Sequence, residues 1–327
     1  MRVMVVGPLG PDDFADNVRD TLTRMGHEVH AVGAARPSVP IRHVGTFVSL
    51  VSDHTSTVDQ YGQRHLVRAV QRIRPDVLLT MDRGLHRSVI QAARQQGARS
   101  ALWFPDHVAT MARHDMFLNG YDMIYLKNPV LVQNLQSIYG LPVRYMPEAC
   151  NSTWHRSTVE YGTDATIVMA GNIHPTRALL IKRLLGAGLP VRLYGGPVAD
   201  WVQTPELAAA HTGQYLARAQ KADVFRRARV VLNNLHPAEY AGANCRLFEA
   251  CGSGGLVLTE IRPGLTDLFQ PGRELDTFTS FDELREKLEW YLADPEHGRL
   301  IADGGAKRAQ SEHTYEHRLT AILEDLA

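Results

Sequence analysis

The sequence predicts an α/β chain made of two doubly wound, Rossmann-like units. Three observations predict it. Short β-branched runs alternate with helical segments from Val3 to Pro129. A proline-containing irregular stretch, Leu141 to Trp154, interrupts that rhythm, which restarts at Thr166. Several runs end on Gly or Asn: Gly7, Gly171-Asn172, Gly195-Gly196 and Asn233-Asn234. A repeated β-α-β rhythm implies a parallel sheet with helices on both faces, and 327 residues suit about two domains.

In order, Val3 to Val6 reads as a buried parallel strand ending at Gly7. Asp16 to Met25 has helical spacing, with Gly26 as its stop, and Glu28 to Val32 is the second strand. Helix Arg64 to Ile73 stops before Pro75, and Val77 to Thr80 is a strand. Helix Leu85 to Gln96 ends at Gly97; strand Ser100 to Phe104 runs into Pro105-Asp106-His107. Tyr121 to Leu126 is strand-like, and Pro129 opens a helix at its first position. After the irregular stretch come strand Thr166 to Ala170, helix Arg177 to Leu185, strand Val191 to Tyr194, helix Ala222 to Ala228 and strand Val230 to Leu232. A helix from near Ala243, strand Leu256 to Thr259, helix Phe281 to Leu292 and a last helix, His313 to Leu326, complete the chain. The implied domains are 1–150 and 151–305, with a C-terminal helical segment, 306–327, packing back on the first domain.

Composition excludes several functions. Lys+Arg and Asp+Glu both number 35, so no global charge favours nucleic acid or an anionic membrane. Cys150, Cys245 and Cys251 are an odd set without C-x-x-C, which argues against a disulfide framework or zinc site and for a reducing, cytoplasmic setting. No run approaches the ~18 apolar residues of a membrane span. None of the fifteen histidines falls in a metal-ligand spacing, so no metal is expected.

The stretch Asn244-Cys-Arg-Leu-Phe-Glu249, followed by a Gly-rich turn, carries the chemistry. A helix start presents free N–H groups and partial positive charge to anions. Arg246 adds a guanidinium fork suited to phosphate, and Glu249 lies one turn further in, where it suits a ribose hydroxyl pair. A surface Arg–Glu pair on a packed helix would use the same residues. Ligands of doubly wound sheets sit beyond the carboxyl ends of the strands. That rule selects Gly7 to Gly10, Asp106-His107, Gly171-Asn172, Gly195-Gly196 and the Asn244 segment, all expected to border one interdomain cleft. Gly7 to Gly10 is a poor G-x-G-x-x-G match, which disfavours a dinucleotide oxidoreductase.

Gly171-Asn172 with Arg177, the segment Val224 to Asn233, Asn244-x-Arg-x-Phe-Glu249, Phe269 to Glu274, Leu284 to Leu292 and Glu312 to Arg318 together resemble, in order and spacing, GT-B glycosyltransferases of group 1, including the spore-maturation CgeB-like proteins. The resemblance implies a nucleotide-sugar donor in the C-terminal domain, an acceptor in the N-terminal domain, no required metal or cofactor, and retention of configuration. The donor-side residues it implies are Gly171, Asn172, Arg177, Gly195, Gly196, His236, Gly242, Ala243, Asn244 and Glu249. Arg246 and Arg177 would stabilise the leaving diphosphate, and Gly195-Gly196 would admit the base. Asp106 or His107 would take the acceptor proton or orient the acceptor, above a loop containing Gly7 and Gly10.

One departure stands out. Many retaining relatives carry two glutamates with seven residues between them, and Ala241 stands where the first would be, with Glu239 two positions away. An inactive nucleotide-sugar-binding protein and a nucleotide-sugar epimerase are therefore alternatives. UDP, GDP and dTDP are equally compatible, as are small-molecule, glycan and protein acceptors; oligomeric state is open.

Overall fold

The computed structural model describes residues 1–36, 55–108, 115–200 and 202–327. They form two compact units, one of Met1–Pro147 with Arg318–Ala327, the other of Glu148–His317.

The first unit has a six-stranded parallel sheet of β1 (Arg2–Val6), β2 (Glu28–Ala31), β3 (Val77–Thr80), β4 (Arg99–Phe104), β5 (Met123–Leu126) and β6 (Val143–Tyr145), in the order β2-β1-β3-β4-β5-β6. Its helices are α1 (Phe14–Arg24), α2 (Ser56–Gly62), α3 (Arg64–Ile73), α4 (Arg87–Gln95) and α5 (Pro129–Tyr139). Val3 to Val6 and Val77 to Leu79 are wholly buried, as strands covered on both faces must be. The chain steps from β1 to β2 on one side and to β3 on the other, so the topological switch point lies between β1 and β3.

The second unit has five parallel strands: β7 (Asp164–Ala170), β8 (Val191–Tyr194), β9 (Ala228–Asn233), β10 (Val257–Glu260) and β11 (Asp276–Phe278), ordered β11-β10-β9-β7-β8. Helices α6 (Pro175–Gly186), α7 (Pro205–Ala210), α8 (Arg218–Arg227), α9 (Cys245–Gly252), α10 (Phe281–Ala293) and α11 (Pro295–Glu312) accompany them. Strand alternation divides the core. Val168, Val231 and Val257 pack with Phe248 and Phe269, whereas Ile167, Val230, Leu232 and Leu258 pack with Leu184, Leu284 and Tyr291. Here the switch point lies between β7 and β9.

The last helix runs close to the expected His313 to Leu326, and a long helix precedes it. α11 starts at Pro295, and a break at His313-Thr314 separates it from α12 (Tyr315–Asp325). Gly304 and Gly305 read as helix breakers in sequence. They sit inside α11 because a Cβ at either would collide with the backbone carbonyl of Arg273 or Glu274. Close helix-to-loop packing overrides local propensity there. Residues 318–327 belong to the first unit, where Tyr125 Oη donates to Asp325 at 2.8 Å and Arg144 pairs with the same carboxylate.

Candidate functional site

The second unit gathers its polar chemistry at the ends of β7 and β9. Asn233 and Thr259 interlock there, Thr259 Oγ1 donating to the Asn233 carbonyl at 2.8 Å. Asn244 caps α9: its Oδ1 accepts from the Leu247 N–H at 3.2 Å, and its Nδ2 donates to Asn233 Oδ1 at 3.1 Å. The start of α9 is thus tied to the end of β9, and this fixes Arg246, its second residue.

The Arg246 guanidinium lies against Gly171. A Cβ at position 171 would stand 2.8 Å from Arg246 Cζ, and Gly171 has φ +105°, so only glycine fits. Among the described residues, no hydrogen bond or ion pair engages the Arg246 side chain, which is half-buried. A cationic fork with no carboxylate partner, beside a helix N-terminus, is suited to an anion.

Arg177 behaves differently from its expected role. It is 4% exposed. Its Nε donates to Asn234 Oδ1 at 2.6 Å, Nη2 to the Asn234 carbonyl at 2.9 Å, and Nη1 to the carbonyls of Asn172 at 2.9 Å and Ala170 at 3.3 Å. It braces the two strand ends rather than presenting an open fork. Burial, then the charge of Arg246, lowers its pKa to about 9, with Glu239 and Glu260 opposing.

His174 was not singled out in sequence, although His174-Pro175 is a helix-start pattern. It caps α6, Nδ1 accepting from the Arg177 N–H at 3.3 Å. Its ring stands edge-on to His236, with centroids 4.9 Å apart. Burial, followed by the charges of Arg177, His236 and Arg246, lowers its pKa from 6.5 to about 4; Glu239 opposes. The pH consequence has a definite sign. Below pH 6.5 the unfolded chain takes up this proton first, so stability falls toward about pH 4 and no further through this group. His174→Asn, which retains a capping oxygen, should flatten that part of the stability profile in urea titrations across pH 4–7. Matching profiles for variant and parent would show that the imidazole is not desolvated.

Other expected donor residues have prior engagements. Glu249 is 6% exposed, and its carboxylate is paired with Lys221 at 3.0 Å, so a ribose would have to share it. The Gly242 N–H donates to the Pro263 carbonyl at 2.9 Å and is not open to phosphate. Ala243 is buried. Gly195 is glycine because a Cβ would lie 2.7 Å from the Gly171 carbonyl, and its own N–H donates to Gln214. A Cβ added at Gly196 would meet nothing within 4 Å, so the position does not require glycine for space. Asn172 is exposed beside Gly171. Ala241, where a glutamate was sought, is buried, yet the same loop buries Glu239, whose charge acts on both His174 and Arg177.

In the first unit, Asp106 and His107 form a pair just beyond β4. Asp106 Oδ1 lies 2.7 Å from His107 Nδ1 and also accepts the His107 N–H at 2.8 Å. A carboxylate on Nδ1 orients an imidazole for work at its other nitrogen. Gly7 and Gly10 shape the turn into α1. A Cβ on Gly7 would come within 2.8 Å of the Ala15 Cβ, and the Gly10 N–H donates to Asp13 at 2.8 Å.

Residues 176–324 match a family described as glycosyl transferase-like. No curated protein sequence matches the chain. Among solved structures, sucrose-phosphate synthase from Thermosynechococcus elongatus is similar at 12% identity and TM-score 0.68, over 99% of this chain and 98% of that one. Anabaena Alr3699/HepE, in complex with UDP-glucose, is similar at 12% identity and TM-score 0.68, over 99% of both chains. A Listeria monocytogenes protein described as a putative UDP-N-acetylglucosamine 2-epimerase reaches TM-score 0.57 at 11% identity, over 99% of this chain and 95% of that one. No helix among the described residues is long and apolar enough to cross a membrane. The chain therefore has the GT-B fold, two parallel-sheet α/β units, with a glycosyl transferase-like segment at residues 176–324.

Proposed function

We propose that this protein is a glycosyltransferase. It moves a sugar from a nucleotide-diphosphate donor to an acceptor hydroxyl, without a metal and with retention of configuration. The observation that carries this reading is the Arg246 guanidinium, seated on Gly171 at the N-terminus of α9 with no protein partner among the described residues. Glycosyl transfer builds negative charge on the departing diphosphate, and a fixed cation beside oriented N–H groups stabilises that charge in place of a metal. Arg177 holds the two strand ends that form the seat. Glu249 offers its carboxylate to the ribose while remaining paired with Lys221, and Glu239 supplies the acidic contact to the donor sugar from two positions before Ala241. Asp106 and His107 serve the acceptor: the imidazole takes or guides the hydroxyl proton while the carboxylate orients it.

HepE solved with UDP and with UDP-glucose makes UDP the first nucleotide to test. The three free cysteines suit a reducing compartment, which we take to be the cytoplasm. The decisive experiment screens UDP, GDP, dTDP and ADP by thermal shift, since a ligand of the native state raises the midpoint. The preferred nucleotide's sugars are then assayed with candidate acceptors in chelator, and the product anomer is read by NMR. No stabilisation by any nucleoside diphosphate would overturn the reading. Interconversion of the donor sugar without acceptor would favour the epimerase alternative.

A further inference from the structure

We propose that His174 binds the donor directly, its neutral imidazole donating the Nε2 hydrogen to an oxygen of the nucleotide diphosphate. This rests on the nucleotide-sugar reading above and adds to it a residue that the Asn244–Glu249 segment does not contain.

The capping bond sets the tautomer. Nδ1 accepts from the Arg177 N–H at 3.3 Å and lies 2.9 Å from Thr176 Oγ1, so Nδ1 carries no proton and Nε2 does. Nε2 is enclosed and has no hydrogen-bond partner among the described residues. Enclosed donors in native proteins are nearly always paired, so an unpaired one calls for a missing acceptor. Glu239 is the carboxylate whose charge acts on this ring, and no hydrogen bond joins it to Nε2.

The surroundings define that acceptor. Burial, and then the charges of Arg177, His236 and Arg246, keep the His174 ring neutral. A neutral donor adds a hydrogen bond without adding a further positive charge. Arg246 and the Nε2–H can only donate. Two such donors favour a group that only accepts, such as a phosphate oxygen, over a hydroxyl or a base edge that does both. The His236 ring packs edge-on against His174, so contact between a ligand and Nε2 requires that His236 be displaced.

His174→Asn separates the two roles of the residue: it keeps an oxygen to cap α6 and loses the Nε2 donor. UDP, GDP, dTDP and ADP serve as probes by calorimetry. With the nucleotide that binds the parent best, His174→Asn should keep the thermal midpoint and weaken binding about tenfold, the size of one lost hydrogen bond to a charged group. His174→Ala should weaken binding similarly and lower the midpoint as well. In the parent, imidazole nitrogen NMR should show an Nε2-protonated His174 whose Nε2 resonance moves when the nucleotide is added. Unchanged affinity in His174→Asn, an Nδ1-protonated ring, or an Nε2 signal indifferent to nucleotide would each overturn the proposal. If Arg246→Ala loses binding while His174→Asn does not, this inference alone fails. If the parent binds none of the four nucleotides, the nucleotide-sugar reading fails and takes this one with it.

Discussion

Arg246→Ala should lower kcat/KM for sugar transfer by about two orders of magnitude or more, the usual cost of removing one charge-stabilising contact from a transition state. Its thermal midpoint should stay near that of the parent. The side chain makes no hydrogen bond or ion pair among the described residues, so its removal leaves no protein group unsatisfied. Arg246→Lys should recover only part of the rate, because an ammonium cannot reproduce a planar fork lying on Gly171. Steady-state kinetics with the preferred donor, alongside a melting curve, checks both statements. Parental turnover in a folded Arg246→Ala protein would remove this residue from the mechanism, and the central support for the proposed function with it.

Arg177→Ala should have the opposite signature: a large loss of stability, with catalysis failing because the site comes apart. Four hydrogen bonds from this buried guanidinium hold the loop after β7 to the end of β9. Truncation strands the carbonyls of Asn172 and Asn234 and opens a cavity, which together should cost about 3–5 kcal/mol. For a unit of this size that is roughly 10 °C in midpoint. Chemical unfolding of the variant measures the loss directly. A change below about 1 kcal/mol would show that the brace is dispensable and that the guanidinium is free to serve a ligand. The two arginines share a residue type and a neighbourhood. They differ in what surrounds them: Arg177 is held by four hydrogen bonds, whereas Arg246 has no hydrogen bond or ion pair among the described residues.

Much of the fold was legible in the residues because buried parallel strands have a simple signature. Val3 to Val6, Val77 to Thr80 and Val191 to Tyr194 are short apolar or β-branched runs that end in turns, and each is a strand over nearly those residues. β6, α2, α7, β11 and most of α11 were not anticipated. The short elements carry too few residues for a period to emerge. α11 carries a glycine pair that local propensity counts against a helix, and only its packing on the loop at Arg273-Glu274 explains it. The site shows the same division. Gly171, Asn244 and Arg246 were visible as a strand end and a helix start, and the structure brings them together. His174 was hidden because a histidine before Pro175 reads as a plain cap. Its significance lies in the unpaired nitrogen on the far side of the ring.

The two parallel sheets, the restart of the second unit near Thr166, and a helix N-terminus bearing an arginine at the end of a strand can all be read from the residues alone. Those features depend on local pattern: alternation of runs, turn residues and caps, all written within a few positions of one another. Which charges are spent and which remain depends on the folded arrangement. Arg177 and Glu249 find partners 57 and 28 positions away, at Asn234 and Lys221, whereas Arg246 finds none among the described residues. Pairing across such distances depends on where the strands and helices come to lie in space. No local period records it, so the distinction between a paired cation and an unpaired one appears only in the folded chain.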